Sequence, residues 1–150
     1  MRRVNVLFVI FLTFVLSYGC AQKRLNTQSG RPEVVVDCGD VQLVKNIFNN
    51  RMLNEGYNVV AENNLSIEYE KEANVAMDFL FAISFGNKGG KPKKEVILNF
   101  MDVQNTVKVV ANLRTVRSDG SRINSNDGKP ALKFQKVIER LKREAENNCP

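Results

Sequence analysis

The sequence has no histidine and no tryptophan among its 150 residues. Without histidine, the chain lacks the usual general base, the Ser–His and Cys–His nucleophile pairs and the commonest side-chain ligand of metals. Without tryptophan, and without a basic run interleaved with aromatic residues, it offers no evident platform for stacking nucleic-acid bases. We therefore predict a protein that is not an enzyme, with no catalytic residue, no cofactor, no metal site and no specific nucleic acid among its partners.

Carboxylates are the catalytic groups that the sequence does supply. Glu68, Glu70 and Glu72 are close together, and Glu68 and Glu70 would share one face of a strand. A hydrolase that uses acids alone is one hypothesis, but the alternation around these residues is typical of a solvated outer face. Asp119 and Asp127 lack the ligand spacing of a calcium loop, so turn chemistry is the favoured interpretation of these two residues.

The start of the chain has the pattern of an export signal. Two arginines precede an apolar run from Val4 to Val15 that is short for a bilayer span. Small residues then lead to Cys20, which resembles the acylated cysteine of bacterial lipoproteins. An ordinary secretory cleavage and an uncleaved membrane anchor are the alternatives that the same segment allows.

Acylation of Cys20 would divide the chain into three parts. Residues 1–19 are expected to be the signal peptide, 20–33 a flexible polar tether, and 34–150 a single domain. Ala21, rather than Asp, follows the cysteine, and in enterobacterial lipoproteins this implies the inner leaflet of the outer membrane, facing the periplasm. The chain has a net charge of +6, to which Arg2 and Arg3 contribute two, and this balance favours weak attraction to anionic partners.

Cysteine is scarce, with three residues in the chain. If Cys20 is acylated, Cys38 and Cys149 remain in an oxidising compartment, where they can form a disulfide. Such a bridge would close a loop of about 110 residues and stabilise the fold by roughly 4–5 kcal/mol in the loop-entropy model. Two independent thiols are the alternative, because sequence does not show whether their Cβ atoms meet.

The first half of the domain has a readable order of elements. Val34 to Val36 is typical of a short edge strand. Asp40 is a candidate N-cap for a helix with apolar residues at helical spacing from Val41 to Met52, and Gly56 is expected to end it. Two strands follow, over 59–61 and 65–69.

The second half contains one ambiguous segment. Residues 73–85 are predicted to be a helix, with a buried strand over 79–85 as the alternative. Alternation over 96–100 and 107–113, with a turn at Gln104-Asn105, predicts a hairpin. A loop over 118–130 and an amphipathic helix over 131–147 complete the chain. We expect an α+β two-layer sandwich, in which an antiparallel sheet of about four strands has about three helices packed on one face.

The whole pattern, over about residues 38–145, resembles small bacterial envelope lipoproteins. The likeness lies in the lipobox-like start, the helix that ends in Glu55-Gly56-Tyr57-Asn58-Val59, the apolar segment 79–85, the strand 107–116 and the polar loop before the last helix. Many such proteins have no assigned activity. The resemblance implies a location in the cell envelope, a compact α+β fold and a role in envelope assembly or maintenance.

Two sets of residues are candidates for contact with a partner. The long polar loop is expected to bind an envelope protein through Asp119, Arg122, Asn124, Asn126 and Asp127. Four lysines around a glycine-rich connection are candidates for contact with anionic groups, with a flexible solvated turn as the alternative: Lys88, Lys91, Lys93 and Lys94. The function expected is that of a membrane-anchored periplasmic lipoprotein that binds or scaffolds without catalysis. The alternative is a module that binds a small ligand or an anionic envelope polymer.

Overall fold

A computed structural model describes residues 25–73, 91–117 and 119–150. The elements in these ranges are β1 (Glu33–Val36), α1 (Val41–Asn54), β2 (Asn58–Glu62), β3 (Ser66–Glu72), β4 (Lys93–Val103), β5 (Thr106–Val116), β6 (Arg122–Asn124) and α2 (Gly128–Asn148). The signal, Cys20, Lys88 and nearly all of the ambiguous segment 73–85 lie outside the described residues. Within those residues, no helix is long and apolar enough to cross a membrane.

The strands form one antiparallel sheet in the order β1-β5-β4-β3-β2, and β6 also pairs with β5. The α+β class and the antiparallel sheet are confirmed. The strand count was wrong, since the described residues contain six strands rather than about four. They contain two of the about three predicted helices, and the third, over 73–85, lies almost wholly outside the described residues. β6 accounts for part of the difference, because its three residues are all exposed and leave no alternating pattern in the sequence.

One face of the sheet, which we call the inner face, packs against both helices. Alternate strand residues on this face are buried and form a single cluster with the apolar sides of α1 and α2. The largest fully buried side chains are Tyr69, Phe100, Ile67 and Leu98 from the sheet and Phe48, Met52, Ile138 and Leu141 from the helices. The Phe48 and Phe100 rings meet edge to face at a centroid distance of 5.9 Å, which fixes α1 over β4.

Local signals fix both ends of α1, as the sequence predicts. The Asp40 side chain accepts a hydrogen bond of 2.9 Å from the backbone N–H of Leu43. At the other end Gly56 has a φ of +80°, its N–H bonds to the carbonyl of Leu53, and the Tyr57 N–H bonds to that of Met52. This pair of bonds is a Schellman motif, and it requires a left-handed residue that glycine supplies without strain.

Lys45 departs from the helical pattern of α1. Its position suggests the polar side of the helix, but the residue is buried against the end of β2. Its Nζ lies 2.7 Å from Glu62 Oε1 and donates to the carbonyl of Asn63 at 2.7 Å. Because a buried ammonium group needs such partners, this contact ties α1 to the turn between β2 and β3.

The C-terminal helix α2 starts at Gly128, three residues earlier than predicted. Pro130 falls in the first turn, where its missing N–H is no cost, so a residue that suggested a loop belongs to the helix. The buried stripe of α2 consists of Ala131, Phe134, Ile138, Leu141 and Ala145. The Gln135 side chain accepts from the N–H of Glu33 and donates to its carbonyl, both at 2.9 Å, which joins α2 to the edge strand β1.

The start of the described chain lies against the domain. Leu25 packs on the core, and the carbonyl of Pro32 accepts a hydrogen bond of 2.8 Å from Ala111 N–H, next to the β1–β5 ladder. At the other end of β1, Cys38 forms a disulfide with Cys149, and their Cα atoms are 5.8 Å apart. The bridge has the predicted partners and joins the start of α1 to the end of α2.

Candidate functional site

The sheet has a second face, which turns away from both helices and which we call the outer face. The register places Arg114, Glu95 and Glu70 in one row across β5, β4 and β3, and Val116, Lys93 and Glu72 in the next. Charged residues thus concentrate at one end of this face. We call these charged residues, together with two neighbouring cations, the ionic cluster: Glu70, Glu72, Lys91, Lys93, Glu95, Arg114 and Arg122.

Glu95 is the centre of the ionic cluster. Its side chain is 1% exposed, although it lies on the outer face, and Arg122 Nε from β6 donates to Oε1 at 3.0 Å and to Oε2 at 3.2 Å. Arg114 NH1 lies 3.9 Å from Oε2. Since an isolated carboxylate is expensive to bury, the two arginines are what make this position acceptable, and Arg122 is held in place in return.

Glu70 lies directly opposite Glu95 on the neighbouring strand. Two like charges at such a position repel each other, but each of these carboxylates has its own cation. Lys93 Nζ donates to Glu70 at 2.8 Å, and this hydrogen bond, with the nearby negative charge, raises the pKa of Lys93. Lys91 pairs with Glu72 at 3.2 Å in the same way.

The structure brings one member of the predicted loop set and two members of the predicted lysine set to the same place. Arg122 was predicted as part of the loop and Lys91 and Lys93 as part of the lysine group, and all three belong to the ionic cluster. Lys94 alternates with Lys93 and is therefore on the other side of β4. Sequence reasoning missed Glu95 and Arg114, because the pairing between strands that makes them neighbours has no local signal.

The predicted partner-binding loop is largely occupied by bonds within the domain. Asp119 accepts from the N–H and the hydroxyl of Ser121, and the hydroxyl bond is the main reason that the pKa of Asp119 is lowered. Asn124 accepts from Asn126 N–H, and buried Asn126 accepts from the N–H of Leu113 at 2.6 Å. Deletion of residues 119–127 would therefore remove contacts that hold the end of β5 in place. Asp127 is exposed and precedes α2 without a side-chain capping bond.

The opposite end of the outer face is apolar and exposed. Val35, Met101 and Val103 are 47%, 40% and 45% exposed, and we call them the apolar patch. Lys108 lies between Val35 and Met101 in the register and pairs with Glu33 at 3.4 Å. The apolar patch and the ionic cluster are therefore two ends of one surface.

An open depression of about 610 Å³ lies at the disulfide end of the domain. It is lined by residues 37–42, Asn105, Cys149 and Pro150. Gln104 and Asn105 both have positive φ values, as in the type I′ turn of a tight hairpin, and Asn105 approaches Gly39 so closely that a Cβ there would lie 2.5 Å from Oδ1. The depression is therefore shaped by structural contacts between the hairpin and the start of α1.

The geometry of the ionic cluster suits binding better than proton transfer. Glu95 is too buried and too firmly paired to reach a substrate, and the cations beside Glu70 and Glu72 are their ion-pair partners. Among the residues that the structure describes, no group of three or more cysteine or acidic side chains could hold a metal ion.

No protein-family model matches the chain, and no curated protein matches it significantly. Functional inference therefore rests on the residues of this chain.

Proposed function

We propose that the protein is a membrane-anchored module of the bacterial cell envelope, which acts by binding another envelope protein through the outer face of its sheet. The observation on which the proposal depends is the apolar patch. Three large apolar side chains are 40–47% exposed together on a face that the two described helices leave uncovered. An exposed apolar group beside charged residues is typical of a protein-binding surface.

The ionic cluster supports the same proposal. Its arginines are 60% and 44% exposed at Arg122 and Arg114, while the carboxylate that fixes them is buried. Guanidinium groups that are already held in place lose little conformational entropy when they meet a partner, and arginine is enriched in protein interfaces. The outer face thus offers apolar contact at one end and oriented hydrogen-bond donors at the other.

Two features support a location outside the cytoplasm. The N-terminal pattern ends in Cys20, which resembles a lipoprotein acylation site, and the other two cysteines form a disulfide that is typical of an oxidising compartment. The anchor is tested by the intact mass of the mature protein. We expect a diacyl or triacyl addition at Cys20, and release of the protein from the membrane fraction by Cys20→Ala; an unmodified mature terminus would refute acylation.

The binding surface is tested by site-specific photocrosslinking in intact cells. A crosslinker at Met101 should yield a defined adduct, which should weaken when Val35→Lys disrupts the apolar patch. Leu53 is the matched control, because it is 44% exposed on α1 and lies on another surface. A crosslink of equal yield from position 53, or one that ignores Val35→Lys, would contradict binding through this face.

A further inference from the structure

The exposed side of α2 has an unusual distribution of charge. Lys129, Lys133, Lys136, Arg140 and Arg143 follow each other at intervals of four and three residues. At 3.6 residues per turn, these positions lie within an arc of about 80° and extend for about 21 Å along the helix. We call them the cationic stripe, and all five residues are exposed.

The cationic stripe lies on the far side of α2 from the core. The buried residues Phe134, Ile138 and Leu141 are centred about half a turn away from it. Arg140 lies 3.3 Å from Glu55, but the other four cations have no carboxylate within salt-bridge distance in the described part of the chain. The exposed side of α2 therefore carries a line of positive charges, of which only Arg140 forms an ion pair among the described residues.

The N-terminal end of the stripe is unfavourable for the helix itself, because Lys129 and Lys133 have no acidic residue three or four positions away. Successive members of the stripe are like-charged neighbours at i,i+3 or i,i+4, and each such pair destabilises a helix by about 0.2–0.5 kcal/mol. Lys129 also lies in the first turn, which contains no acidic residue, so its charge opposes the helix dipole. Glu139 and Glu144 flank the C-terminal half of the stripe at the same spacings, but no acidic residue lies within its arc of about 80°. A row of one sign on that line is suited to a negatively charged partner.

The shape of the stripe identifies the kind of partner. A straight row of charge on a convex ridge makes simultaneous contact with a flat surface, whereas a flexible polymer chain is better held in a groove. The ridge includes no large apolar side chain that would insert into hydrocarbon, so contact is limited to the level of the headgroups. We propose that the cationic stripe docks the domain on a bilayer that contains anionic phospholipids.

Docking through the stripe also sets the orientation of the domain. The cationic stripe and the outer face of the sheet are on opposite sides of the two-layer structure, because α2 packs on the inner face. With the stripe on the bilayer, the apolar patch and the ionic cluster point away from the membrane. The inference therefore extends the proposed function by orienting its binding face, but it does not require that Cys20 be acylated.

The test is co-sedimentation of the full chain with vesicles, in a Cys20→Ala background that removes any acyl anchor. Phosphatidylcholine vesicles are compared with vesicles in which a quarter of the lipid is phosphatidylglycerol. We expect preference for the anionic vesicles, weakened by salt, and a fall of about tenfold or more in that preference for Lys133→Gln/Lys136→Gln/Arg143→Gln, since each cation contributes at a charged surface.

A control variant that loses the same number of positive charges elsewhere separates the effect of the stripe from the effect of net charge. Arg31→Gln/Lys94→Gln/Arg117→Gln removes the same charge from exposed positions outside the stripe and the ionic cluster and should largely retain the preference. Equal losses in the two triple variants would overturn the proposal, as would a parent that does not distinguish the vesicles. It would also be overturned if the stripe variant lost binding only to a soluble polyanion such as dextran sulfate, which would identify a polymer as the partner.

Discussion

The two helices pack on the same face of the sheet, but they are stabilised in different ways. α1 has a capping aspartate with a formed hydrogen bond at its start and a Schellman motif at its end. α2 is longer, begins after Asp127 with no side-chain capping bond, has a lysine in its first turn and ends at the disulfide. α1 is therefore defined by local interactions, whereas α2 depends on its packing and its covalent link.

The contrast also separates structural from functional roles. The cations of α1 are used within the fold, since Lys45 is buried against Glu62 and Arg51 pairs with Glu55 at 3.6 Å. Most cations of α2 remain uncompensated on its exposed side. A helix that is already stabilised by packing and a disulfide tolerates like-charged neighbours on its surface. The difference between the helices can be tested by removing the disulfide, the helix caps and the charge in the first turn of α2, one at a time.

The disulfide is expected to give the largest effect. Cys149→Ser removes the covalent link at the end of α2, and because the bridge closes a separation of 111 residues, we expect a loss of about 2–5 kcal/mol in the free energy of unfolding. Urea unfolding of the oxidised parent and the variant measures this loss. Reduction of the parent should reproduce it, and a parent that alkylates as two free thiols before reduction would contradict the bridge.

The caps should differ by a smaller amount. Asp40→Ala removes the bond to Leu43 N–H and should cost about 1 kcal/mol. Asp127→Ala is the matched control, since Asp127 occupies the same position before α2 without making such a bond, and it should cost less than half as much. Urea midpoints of both variants measure the difference. If the two losses were equal, α1 would not be the more locally defined helix.

A substitution in the first turn of α2 should be stabilising. Lys129→Glu replaces an unfavourable charge near the helix N-terminus with a favourable one and creates an i,i+4 pair with Lys133, so we expect a gain of about 0.5–1 kcal/mol. Lys136→Glu is the control, because it is too far from the N-terminus for the dipole contribution. A lower melting temperature for Lys129→Glu than for the parent would show that Lys129 stabilises the helix.

The smallest effect depends on pH and concerns the Glu33 carboxylate of β1, which accepts from Gln28 N–H and pairs with Lys108 of β5. Burial raises the pKa of Glu33, but hydrogen bonds from Ser29, Gln28 and Lys108 outweigh it, and the pKa is lower than 4.5 in the folded state. A lowered folded-state pKa stabilises the fold above the unfolded value, and this contribution is lost as the pH falls through the folded-state value. Glu33→Gln should therefore flatten the acid decline of stability below about pH 4.5. An unchanged decline in thermal melts would contradict this role.

Most features that depend on residues close together in the sequence were predicted correctly, whereas most of those that depend on distant residues were not. The caps of α1, the turn at Gln104-Asn105 and the alternation of β4 and β5 depend on neighbouring residues, and each was predicted correctly. Pro130 misled the placement of the start of α2, because a residue that breaks helices in their interior is acceptable in their first turn. The position of β1 beside β5 depends on residues more than 70 positions apart, and only its edge location was predicted.

The candidate site was harder to predict for the same reason. Lys93 and Lys94 suggested a basic segment, and nothing in the sequence shows that the adjacent Glu95 is the most buried carboxylate of the outer face. Its charge is compensated by Arg114 and Arg122, which reach it across the β4–β5 and β5–β6 pairings. The loop asparagines were predicted as contacts for a partner because they are polar, but Asn126 instead satisfies a backbone N–H of β5. Polar residues in a loop can be structural when a buried donor lies near them.

The edge strand β2 contains a bulge between Val59 and Ala61, which affects how copies of the protein behave at high density. Val59 and Val60 are 39% and 54% exposed, and among the described strands β2 pairs only with β3, so its other edge could template a foreign strand. The register shift between Val59 and Ala61 is a bulge, which bends the strand and interrupts the row of free backbone groups. Where copies of the protein meet edge to edge at high concentration, the bulge opposes strand pairing between their sheets and amyloid-like assembly.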